Sequence, residues 1–82
     1  MRLVIPVSEG RVERVLDNAT KLLVLDLRDE GRGEYFETSI HSRSMKERVR
    51  ELAAMGTDVL LCNEVSHSLE SLIRGGGIEV HT

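Results

Sequence analysis

The chain has 82 residues, enough for one domain near the size where burial only just offsets chain entropy. Charged residues make up 30% and hydrophobic residues 40%, an ordinary globular balance that argues against disorder. The net charge of −3 speaks against a general nucleic-acid binder, and the single cysteine excludes an internal disulfide and a multi-cysteine zinc site.

With one Tyr, one Phe and no Trp, the core must be built from Leu, Val and Ile. The longest apolar runs, such as Leu22–Leu25 and Val59–Cys62, fall far short of the roughly 20 residues of a membrane helix. The start, Met1–Pro6, lacks the apolar stretch and cleavage site of a signal peptide, so the expected location is cytoplasmic. Residues 1–82 read as a single domain.

Arg2–Val7 is a β-branched and aliphatic run, a first strand, and Pro6 should lie at its end because it cannot donate to a ladder. Ser8-Glu9-Gly10 follows as a turn signal. Lys21–Arg28 is a second strand. Turn formers fill Asp29–Gly33, and Glu34–Ile40 then alternates as a polar third strand suited to an edge. Met45, Val49, Leu52 and Ala53 share one helical face, Ser44 to Glu47 reads as a capping box, and Gly56 ends the helix. Asp58–Cys62 is a fourth strand. Ser66 or Ser68 caps a second helix with a stripe of Leu69, Leu72 and Ile73, stopped at Gly75-Gly76-Gly77. Ile78–His81 is the last strand.

Strands joined through helices pair in parallel by right-handed crossovers. The expected fold is therefore α/β: a five-stranded mixed sheet of order 3-2-1-4-5, second strand antiparallel, with two helices on one face. The central strands are apolar on both faces, so a second subunit, another protein or the Val12–Leu16 segment is expected to cover the other face.

In open α/β sheets, ligands bind beyond the carboxyl ends of the strands where successive connections diverge. That point lies between the first and fourth strands, flanked by Ser8–Arg14 and Asn63–His67. Arg11, Arg14 and the amides at Ser66 and His67 suit a compact anion. Arg43, Lys46, Arg48 and Arg50 add a local basic zone, which also reads as a solvated helix face. Cys62 is a soft-ligand candidate or, more commonly for a lone Cys ending an apolar strand, a packed small hydrophobe. His41, His67 and His81 lack metal-ligand spacing. No dinucleotide or phosphate-loop motif is present, and Leu3–Val7 has none of the carboxylates that nuclease chemistry would need.

Four stretches carry a family resemblance: Arg2–Val12, Val15–Asp26, Val59–Ser66 and Leu72–Val80. In their order and spacing they resemble the nitrogenase-accessory family that binds the iron–molybdenum cofactor, of the NifX and NifB C-terminal type. The resemblance spans nearly the whole chain. It implies a ribonuclease-H-like motif and a non-catalytic carrier of an anionic metal–sulfur cluster or its precursors. It matches Ser8 and Arg11 to the first site loop and Cys62, Asn63 and Ser66 to the second; read together with the basic rim and the start of the second helix, the expected contacts also include Arg14, His67 and His41, with Cys62 as the candidate metal ligand. Leu16 stands where many relatives carry Phe, and Asn63-Glu64 replaces a Gly-containing pair. The alternative reading is a metal-free interaction or regulatory module that dimerises on the same fold.

Overall fold

The computed structural model describes residues 1–28 and 33–82. It contains β1 (Arg2–Ser8), β2 (Arg11–Val12), a short 3-10 turn (Leu16–Asn18), β3 (Lys21–Leu27), β4 (Gly33–Ser39), α1 (Met45–Ala54), β5 (Val59–Leu61), α2 (His67–Gly75) and β6 (Glu79–His81). The sheet runs β4-β3-β1-β5-β6. That is the expected order, with β3 antiparallel to its neighbours and β5 and β6 parallel to β1. The expected count falls one short: two-residue β2 pairs antiparallel with the end of β1. Most of the expected turn between β3 and β4, residues 29–32, lies outside the described residues.

Pro6 sits inside β1 and not at its end, opposite Leu22 of β3. The strand tolerates it because its carbonyl faces away from β3 and accepts from the Glu13 amide at 2.8 Å. Its missing N–H is on that same side, where the β5 pairing ends at Val4 and Leu60, so the ladder to β3 runs through it unbroken.

Alternation sorts the strands into two faces. Val4, Pro6, Leu22, Val24, Leu60 and Val80 are buried on one. Leu52 of α1 and Leu69 and Ile73 of α2 join them in one aliphatic core, so both helices cover the same face. Leu16 also enters this core and not the opposite side, so the Val12–Leu16 segment leaves the second face uncovered. That second face presents Leu3, Ile5, Val7, Leu23, Leu25 and Val59, all half-buried, and Leu61, which is 38% exposed.

The helices begin where capping chemistry dictates. Ser44 Oγ accepts from the Glu47 amide at 3.1 Å, and Ser66 Oγ accepts from the Leu69 amide at 3.3 Å. Gly56, at φ +74, closes α1 in the left-handed region. The Arg2 guanidinium donates to the Met55 carbonyl at the C-terminal end of α1 and sits 3.6 Å from Asp26. A cation there suits the negative end of the helix. Among the described residues no helix is long and apolar enough to cross a membrane.

Candidate functional site

β1 and β5 are parallel neighbours, Leu3 opposite Val59 and Val4 opposite Leu60. Their connections leave in opposite directions, β1 toward β3 and β5 through α2 to β6, so the diverging point lies where the sequence puts it.

The chain itself fills the top of that crevice. Ser8 pairs with Arg11 across a two-residue turn in which Glu9 has φ +50 and Gly10 φ +76, the signs of a type I′ hairpin. Beyond β2 the chain crosses to the loop after β5. The Leu16 amide donates to the Glu64 carbonyl at 2.8 Å, and the Glu64 amide donates to the Arg14 carbonyl at 3.0 Å. Val15 and Glu64 thus form a parallel bridge between the two loops.

One turn further, Asp17 meets the N-terminus of α2. The Ser66 amide donates to Asp17 Oδ1 at 2.8 Å, and the Ser66 hydroxyl donates to Oδ2. Partial burial works against the charged carboxylate, but the Ser66 hydroxyl and amide, the Asp17 amide and the Arg48 charge together hold its pKa below the ordinary value. An anion does occupy this helix end, and it is the chain's own.

The expected site residues divide into groups. Ser8 and Arg11 are exposed on the hairpin, and Arg14 is exposed just beyond it. Asn63 is exposed at the end of β5, at the same end of the sheet. Ser66 is engaged with Asp17, and His67 is exposed as the first residue of α2. His41 follows β4, three strands from β5, a separation of about 14 Å at the usual strand spacing. In the basic zone, Arg48 donates to the Ala19 carbonyl at 2.8 Å and so pins the 3-10 turn against α1.

Cys62 is 6% exposed and belongs to the core cluster. Burial pushes its thiol pKa up, and the carboxylates of Glu70 and Asp17 add to the rise. A raised pKa keeps the sulfur protonated and poorly nucleophilic.

An open hollow of about 190 Å³ lies at the end of β1, β5 and β6, lined by Ile5, Val12, Leu61, Cys62, Asn63, His81 and Thr82. His81 and Val12 are absent from the sequence-derived site. The signal that brings them here is register: Leu61 faces His81 and Val7 faces Val12. His81 Nε2 is 3.2 Å from Glu79 Oε2. Among the described residues no three His, Cys, Asp or Glu side chains gather into a metal-holding group.

The fold is shared with known structures. PH0822 superposes with a TM-score of 0.87 at 15% identity, covering 98% of this chain and 76% of its own. MJ0327 from Methanocaldococcus jannaschii, provisionally named a dinitrogenase, gives 0.74 at 11% identity, covering 98% and 72%. TM1290 from Thermotoga, provisionally named a NifB protein and assigned to the DUF35 family, gives 0.66 at 22%, covering 96% and 72%. No family model matches the chain, and no curated protein does. At these identities the likeness is one of fold, and that fold is found among proteins with nitrogenase-related names.

Proposed function

We propose that the chain is a non-catalytic binding protein of the nitrogenase-accessory type, a carrier for an anionic metal–sulfur species of the iron–molybdenum-cofactor kind or its precursors. The observation that supports this reading is that Ser8, Arg11 and Arg14 lie exposed at the same end of the sheet as the hollow, which Asn63 lines. Exposed guanidinium groups at the same end of the sheet as an apolar-floored hollow give that end a positive field that suits a compact anion with a soft surface. The kinship of fold with a protein named for NifB supports the same direction.

The single thiol is buried and protonated, so the cargo would be held by charge, hydrogen bonding and packing more than by a ligand set. The absence of carboxylates along Leu3–Val7 supports a role without hydrolytic chemistry. Anaerobic reconstitution with iron or molybdenum plus sulfide, followed by metal analysis, tests the reading. Retained metal that falls by about tenfold in the Arg11→Glu, Arg14→Glu double variant is expected. A wild-type protein that retains none sinks it.

A second reading is favoured by one observation: the uncovered sheet face carries seven apolar side chains in neighbouring positions. Contiguous exposed apolar surface of this kind marks an interaction site. On this reading the chain is an interaction module, and the face takes a protein partner. Binding of a hydrophobic dye, lost in Leu61→Glu, is the expected result.

A further inference from the structure

The uncovered face is ordered in rows. One row crosses from β4 to β6 as Glu37, Leu23, Ile5, Leu61, His81, fixed by the pairs Glu37 with Leu23, Leu23 with Ile5 and Leu61 with His81. Ile5 and Leu61 follow in step with Leu3 and Val59. The neighbouring row is Tyr35, Leu25, Leu3, Val59, Glu79. Each row is apolar in its three middle positions. Each ends in a carboxylate on one side and a proton donor, imidazole or phenol, on the other.

Such rows are complementary to their own reversal. A two-fold axis parallel to the strands and passing over β1 sets β4 of one copy on β6 of the next. Glu37 then meets the second copy's His81, and Tyr35 meets the second copy's Glu79. Leu23 falls on the second copy's Leu61 and Leu25 on its Val59, while Ile5 and Leu3 each meet themselves. The hollow beside Leu61 lies where the second copy's Leu23 lands, a knob entering a hole. An axis across the strands would instead set Glu37 on Tyr35 and His81 on Glu79. That gains less, because His81 and Glu79 already pair within one chain.

We propose that this face is the interface of a homodimer, two copies stacked sheet to sheet about an axis along the strands. The proposal rests on the interaction reading above and names its partner. Five strands spaced about 4.8 Å apart and two full rows of side chains, with Ser39, Lys21 and Val7 as a shorter third row, give a footprint on the order of 450 Å² per copy. The total of about 900 Å² falls in the range of weak, transient interfaces.

Sedimentation of the metal-free full chain across micromolar concentrations tests this. A reversible dimer is expected. Glu37→Lys and His81→Glu should each weaken it by about tenfold, and the double variant should recover most of the affinity, because the reversed charges face each other again. Both side chains are exposed, so unchanged far-ultraviolet dichroism verifies the fold of each variant. A monomer at every concentration overturns the proposal, as does a dimer indifferent to both reversals. A monomer that still binds dye in a Leu61-dependent manner overturns only the homodimer. A monomer that binds none removes the interaction reading as well.

Discussion

Glu9 is a non-glycine residue with positive φ, and it holds the first position of a turn that needs the left-handed region twice. Asn tolerates that region better because its short side chain can bond locally. Glu9→Asn should therefore raise stability by about 0.5–1 kcal/mol, read as an increased urea midpoint with an unchanged slope. Asp17 carries a different consequence. Its pKa is held down in the folded chain, so it contributes stability that is fully present above the unfolded carboxyl value of about 4 and is lost as pH falls through the folded one. Asp17→Asn should be less stable than wild type at neutral pH, by about 1–2 kcal/mol for a clamp to both the Ser66 amide and hydroxyl. The gap should close as the pH falls through the acid range. A gap that stays constant with pH would detach the clamp from the carboxylate charge.

The two helix caps make the same kind of bond but bear different loads. Ser44 bonds only within α1's first turn, whereas Ser66 caps α2 and also bonds Asp17, 49 residues away in sequence. Ser44→Ala should cost about 1 kcal/mol, and Ser66→Ala about twice that, in urea unfolding. Equal costs would mean that the Asp17 contact is worth nothing net. This contrast also marks what could be read from the sequence. Caps, stripes and the strand order follow from local residue types: Ser44, Leu52, Ser66 and Ile73 announce themselves by spacing. β2 does not, because two residues carry no period, and Glu9-Gly10 is a weak hairpin signal beside Asn-Gly. The closure of the crevice was equally hidden. The Val15–Glu64 bridge and the Asp17–Ser66 clamp are long-range pairings that only the register of β1 against β5 brings about. The placement of Cys62 is a parity effect: Leu60 and Cys62 share the covered face, and the exposed side between them falls to Leu61.

At the scale of the molecule, the single core on one side of the sheet dominates everything else. Both crossovers move in the same direction, so right-handedness sends both helices to one face and leaves seven apolar side chains on the other. The hollow at the end of β5 lies on that second face, and both proposals draw on it: the carrier reading seats a compact anion there beside Asn63, and the dimer seats Leu23 of a second copy. The two occupants exclude each other in one molecule at one time. A guest that takes the hollow in the monomer must therefore weaken the dimer by the same free energy with which dimerisation weakens guest binding. Sedimentation of the reconstituted chain should show the monomer fraction rising with bound metal, while Leu25→Glu, on the same face but outside the hollow and monomeric throughout, shows no such shift. A dimer that loads fully without dissociating would put the guest elsewhere, on the exposed outer side of the Ser8–Arg11 hairpin, and would leave the sheet face to protein contact alone.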